Sequence, residues 1–197
     1  MWRPMTALSC RKPEEETDMR YEIIFSGIGG QGMILCGKIA AEAASLYEKK
    51  HSVQTVYYGP ESRGGIAESY VIISDEPVDY PKITKADALV AMSQSGLERH
   101  LEHLHEDAVV VIDKGKVNTE NLPETLSLSS APFTEESIRI MARPMAANIV
   151  ALGFFSAVTE MISPDACKKA IRHNVPAGTE EKNIAAFEAG FDLGRHA

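Results

Sequence analysis

The stretch Tyr21-Glu-Ile-Ile-Phe-Ser-Gly27-Ile-Gly29-Gly30-Gln31-Gly32-Met33 decides the fold, because a short apolar run breaks into glycines and then resumes with helical spacing. That change of period predicts a strand, a tight loop and a helix, the first half of a βαβ unit. Gly27, Gly29 and Gly32 satisfy the spacing G-x-G-x-x-G. A glycine turn entering a helix aims backbone N–H groups at an anion, which makes Gly29, Gly30, Gln31 and Gly32 candidate donors. The same glycines also suit a turn that only needs close packing.

Working outward, Met33, Ile34, Ile39, Ala40, Ala43, Leu46 and Tyr47 keep helical periodicity and predict a helix from Gln31 to about Lys50. His51–Tyr57 is rich in β-branched residues and is expected to pair in parallel with Tyr21–Ser26. Gly59-Pro60 and Gly64-Gly65 frame a loop, and Ile66–Ser74 is the next strand. Ala88–Met92 reads as a buried parallel strand. Ser93 then caps a helix bearing Leu97, Leu101 and Leu104, and Val109–Ile112 is a strand. Leu126–Ser129 reads as a short strand.

The last third is helical. One helix runs from Thr134 to before Pro144, and Met145–Glu160 is apolar nearly all round and therefore buried. Another is capped by Ser163 with Pro164 at its first position and runs through Arg172, and the last spans Thr179 to about Gly194. The rhythm predicts a three-layer α/β/α sandwich with a mostly parallel sheet and a helical C-terminal third.

A chain of 197 residues is long enough to bury a core without staples. Residues 19–197 are expected to form one domain. Residues 1–18 are polar, lack the apolar core of a signal peptide, and read as a disordered extension or an upstream start before Met19. The net charge of −8 argues against nucleic acid as the main partner. No stretch has the length and apolarity of a membrane span. Cys10, Cys36 and Cys167 lie far apart, so this chain alone builds neither a zinc site nor an iron–sulfur cluster, and a reducing cytosol is the expected compartment.

Dinucleotide binding requires an Asp or Glu at the end of the second strand, and here that strand ends Gln54-Thr55-Val56-Tyr57. A P-loop is excluded because no Gly-Lys-Ser/Thr follows the turn. The second loop is better equipped. Arg63, flanked by Gly64 and Gly65, can reach a phosphate and bind it bidentately, or it can pair with Glu61. Tyr58 can stack on a base or simply pack. His100, His103 and His105 are expected on a solvated helix face. Asp113 and Lys114 either meet the crevice or cap the next turn, and Cys36 reads as a buried thiol. No catalytic residue and no metal ligand set is expected.

Three stretches together resemble the gamma subunit of the 2-oxoacid:ferredoxin oxidoreductases. They are Gly27–Gly32; Tyr58-Gly-Pro-Glu-Ser-Arg-Gly-Gly65 with Ile73–Pro77; and Asn148–Gly153 continuing to Val175–Gly178 and Asn183–Phe187. The Tyr-Gly-Pro-Glu form of the loop is similar to the 2-oxoglutarate and branched-chain types. The resemblance spans about residues 20–194 and implies a subunit of a cytoplasmic enzyme that decarboxylates a 2-oxoacid, passes electrons to ferredoxin and releases an acyl-coenzyme A. Thiamine diphosphate, Mg and iron–sulfur clusters would lie on the alpha and beta subunits and on a ferredoxin-like delta subunit. This chain would contribute the coenzyme A side of the site, by proximity rather than by a nucleophile. A non-catalytic scaffold subunit and a free-standing nucleotide-cofactor oxidoreductase are the rival readings.

Overall fold

The computed structural model describes residues 19–60, 64–119, 122–123 and 125–197. The extension over residues 1–18, with Cys10, and the loop residues Glu61 and Arg63 lie outside the described residues. Six strands form one sheet: β1 (Arg20–Ile28), β2 (His51–Tyr58), β3 (Ile66–Ser74), β4 (Ala86–Ala91), β5 (Leu104–Asp113) and β6 (Ser127–Ala131). Their spatial order is β2-β3-β1-β4-β5-β6. β1, β4, β5 and β6 pair in parallel, whereas β3 runs antiparallel to both β1 and β2.

The expected parallel pairing of the first two strands is therefore corrected. β2 and β1 point the same way, but β3 is inserted between them, with Glu22 opposite Ile72 and Val53 opposite Ile72 on its other edge. Burial explains the order. β3 is buried along most of its length, while β2 is half-exposed and takes the edge.

Side chains alternate across the sheet and separate two apolar clusters. Ile23 and Phe25 face the larger one, with α1 (Met33–Glu42), α3 (Phe133–Met141), α4 (Ala147–Thr159), α5 (Pro164–Asn174) and α6 (Glu180–Gly194). Ile24, Leu89 and Ile112 face the smaller one, covered by α2 (Gln94–Glu98), the short 3-10 turn Leu101–His103 and connecting segments. The helices thus lie on both faces but unequally. α4 is buried from Ala147 through Ser156, as its all-round apolarity predicts. It lies against α6 so closely that a Cβ on Gly190 would sit 1.9 Å from the Val150 carbonyl oxygen.

Several boundaries differ from expectation. α1 stops at Glu42 and passes into a π-helical turn, Ala43–Tyr47, before Lys49 turns left-handed at φ 60°. The expected helix over Ser93–Leu104 ends at Glu98, and Leu104 opens β5 instead. Ser93 caps α2 and Ser163 caps α5 as predicted, each accepting from the backbone N–H three residues on. α3 begins after Pro132, whose side chain cannot cap. Asp113 at the end of β5 substitutes, accepting from the Thr134 N–H (3.3 Å) and from its hydroxyl. Burial raises the Asp113 pKa, and the Thr134 bonds offset only part of that rise. Among the described residues no helix is long and apolar enough to cross a membrane.

Candidate site at the glycine turn

β1 ends at Ile28, and Gly30 and Gly32 take positive φ, 94° and 75°, to turn the chain into α1. Gly32 occupies the N-cap position with no side-chain cap, and α1 carries no acidic residue in its first turn. Its leading N–H groups and the positive end of its dipole are left for an external anion. Among the described residues nothing lies within 4 Å of a Cβ built on Gly30 or Gly64, which leaves room for a ligand to approach the backbone.

The four residues expected to donate N–H groups are not equivalent. The Gly29 N–H donates to the Gly65 carbonyl (2.7 Å), and the Gln31 N–H donates to the Ile28 carbonyl (3.1 Å). Both N–H groups are bonded inside the protein. No acceptor among the described residues takes the N–H of Gly30 or Gly32. Gln31 acts as a brace: its Oε1 accepts from the Ile28 N–H (2.7 Å) and its Nε2 donates to the Met92 carbonyl (2.9 Å). The turn is thereby tied to the end of β4.

The second loop leans on the first. Besides the Gly29–Gly65 bond, the Gly59 N–H closes the β2–β3 connection on the Ile66 carbonyl (2.7 Å). Tyr58 stands 66% exposed at the base of that loop. The third stretch arrives from α4. Asn148 is buried, its Nδ2 donates to the Gly32 carbonyl (3.1 Å), and its amide fills the space a Cβ on Gly32 would need, 2.5 Å away. Cys36 points inward and donates its S–H to the Asn148 carbonyl (3.4 Å), and burial pushes its thiol well above its ordinary pKa. It is no nucleophile in this state.

One cluster escapes a reading by pattern. Glu68 in β3 is 0% exposed and accepts from Ser26 (2.9 Å), His100 Nε2 (2.7 Å) and Tyr70 (2.7 Å). Arg99 stands 3.5 Å away. Burial alone raises the Glu68 pKa, but the His100, Tyr70 and Ser26 bonds outweigh it and hold the carboxyl below its usual value. His100 is therefore buried at 4% exposure rather than solvated, correcting the expectation for that histidine. The signal was present in Ile66-Ala67-Glu68-Ser69-Tyr70, where an acid occupies a strand position buried on both sides. Among the described residues no group of three or more His, Cys, Asp or Glu could hold a metal ion.

The family model for pyruvate ferredoxin/flavodoxin oxidoreductase matches residues 22–193. The chain belongs to that family. It is a gamma-type subunit of the 2-oxoacid:ferredoxin oxidoreductases, similar along nearly its whole length to two relatives. The 2-oxoglutarate synthase subunit KorC of Methanocaldococcus jannaschii is 44% identical over 90% of this chain and 95% of the relative. The crystal structure of the keto/oxoacid ferredoxin oxidoreductase gamma subunit from Geobacter sulfurreducens is 40% identical, with TM-score 0.79, over 90% of this chain and 99% of that one. A fold likeness at 23% identity and TM-score 0.79 joins the gamma-type subunit to 31% of a chain of the Magnetococcus marinus 2-oxoglutarate:ferredoxin oxidoreductase, a structure with 2-oxoglutarate, coenzyme A and succinyl-CoA bound. As the similarity to KorC and to the gamma-subunit structure shows, the chain is a subunit of a multi-subunit oxidoreductase, and one residue from each of two further stretches, Gly65 on Gly29 and Asn148 on Gly32, meets the glycine turn.

Proposed function

We propose that this chain supplies the coenzyme A side of a 2-oxoglutarate:ferredoxin oxidoreductase, binding a coenzyme A phosphate at the N-terminus of α1. The observation that carries this reading is the meeting of Gly27–Gly32, Gly64–Gly65 and Asn148 around uncommitted N–H groups of Gly30 and Gly32. The residues fit an anion: the helix is uncapped, its first turn lacks carboxylates and the backbone is open at Gly30. Arg63 is the proposed side-chain partner, a bidentate cation on the loop that leans on the turn. Tyr58, Gly64 and Gly65 shape the neighbouring wall. The acyl acceptor is thereby held in place for a reaction carried by other chains.

Thiamine diphosphate with Mg, and the iron–sulfur clusters, belong in this reading to alpha and beta subunits and a ferredoxin-like delta subunit, with ferredoxin as acceptor. The 2-oxoglutarate assignment rests on the 44% identical 2-oxoglutarate synthase relative. A reducing cytoplasmic compartment accords with the buried free thiols of Cys36 and Cys167.

Arg63→Ala in the assembled complex is expected to raise the KM for coenzyme A roughly tenfold, the loss of one charge-assisted contact. An unchanged KM together with unchanged turnover would overturn the site. The commitment of Gly29 and Gln31 inside the fold favours one alternative, a scaffold subunit whose turn only supports assembly. That reading predicts dissociation of the complex on substitution of the turn, with no protection by saturating coenzyme A.

A further inference from the structure

The sheet face opposite α1 carries a cavity of about 700 Å³, within the range of small-molecule sites. Its floor is Ile24, Thr55 and Tyr70, on neighbouring strands, and its roof is the connection Tyr80–Ile83. Ile24, Pro81 and Ile83 with the Tyr70 and Tyr80 rings make the walls largely apolar. Besides Thr55 and the two tyrosines, the polar residues that line it are all basic, Lys82, Arg99, His100 and His103, and no Asp or Glu does. In a chain of net charge −8 such a one-sided lining is not what random placement gives.

The Glu68 carboxylate pairs with Arg99 and His100, so it offsets charge there but not at Lys82. Glu68 lies beneath the cavity wall with its oxygens occupied by Ser26, His100 and Tyr70. Those bonds hold the Tyr70 and His100 rings in fixed orientations, edge-to-face at 5.9 Å. Arg99 is oriented from two sides, by Glu68 at Nε (3.5 Å) and by the Tyr57 ring beneath its guanidinium (4.9 Å). Its side chain remains 42% exposed. Lys82 makes no ion pair among the described residues. A largely apolar cavity with two tyrosine rings in its lining and cations at its rim suits a planar apolar body with one negative group.

We propose that this cavity binds a small flat anion, an aromatic or heteroaromatic ring bearing one carboxylate or phosphate, at a site separate from the glycine turn. An aromatic carboxylate and a nucleoside monophosphate share that chemistry, so the full chain is titrated with phenylacetate and, separately, with adenosine monophosphate. Two-dimensional NMR follows Thr55, Tyr70, Ile83 and His103 for the cavity and Gly30–Met33 for the turn. The expected result is saturable shifts at the cavity residues with at least one probe, a dissociation constant below about 1 mM, and weakening of about tenfold in Lys82→Ala. A response to phenylacetate alone assigns a carboxylate ligand, and a response to adenosine monophosphate alone assigns a phosphate. Absence of saturable shifts with both probes overturns the site, as do shifts confined to Gly30–Met33. Binding unweakened in both Lys82→Ala and Tyr80→Ala overturns it too. Both substitutions are at exposed positions, so loss of the fold does not confuse the outcome.

Discussion

Glu68 and Asp113 are both buried carboxylates in strands, yet their surroundings act on them with opposite sign. Burial raises both; at Glu68 three donors reverse the shift, and at Asp113 they do not. For Glu68 the folded pKa lies below the unfolded one, so its stabilisation is present above about pH 4.3 and is lost as pH falls through the folded value. For Asp113 the folded pKa lies above, so its contribution is full below about pH 3.9 and is lost as pH rises through the folded value. Glu68→Gln is expected to cost about 1–3 kcal/mol at pH 7, because an amide nitrogen meets donors where an oxygen accepted them. Urea unfolding from pH 3 to 7 checks the sign: Glu68→Gln flattens the acid-side loss of stability, whereas Asp113→Asn removes a loss on rising pH.

At the level of elements, α4 and α6 approach backbone to backbone. A Cβ on Gly153 would lie 2.0 Å from the Phe187 carbonyl oxygen, and one on Gly190 would lie 1.9 Å from that of Val150. Both collisions are with backbone, so neither is relieved by a side-chain rotation. Gly190→Ala is expected to destabilise by about 3 kcal/mol or more, as strong overpacking does. Gly178→Ala, at φ 85° with nothing near, should cost only the left-handed strain of about 1 kcal/mol. Equilibrium unfolding of the two variants distinguishes packing from backbone strain. The helices themselves were legible from periodicity and caps, as Ser163 and Pro164 show. The π-helical turn after Glu42 was not, since its apolar residues fit an uninterrupted α-helix equally well.

As a whole molecule, the chain is built to be one part of a larger assembly. Its described thiols, Cys36 and Cys167, are buried, and the chain has only one other cysteine. The complex purified through this subunit is therefore expected to show partner chains and iron–sulfur absorption, while the chain expressed alone is colourless. A colourless complex, or a lone chain at native concentration, would contradict the proposed role.

By itself the sequence determined the strand–glycine–helix opening, the alternation of strands and helices, the all-apolar α4 and the three stretches that mark the family. These are local periodicities and turn chemistries, and they survive into any tertiary arrangement. Only the tertiary structure decided that β3 lies between β2 and β1, that His100 turns inward to Glu68, and that the N–H of Gly29 is spent on Gly65. The reason is physical. Alternation states which face of a strand is buried, but ladder hydrogen bonds are the same for every residue and name no neighbour. Which donors of a glycine turn remain free depends on what else the fold brings against it.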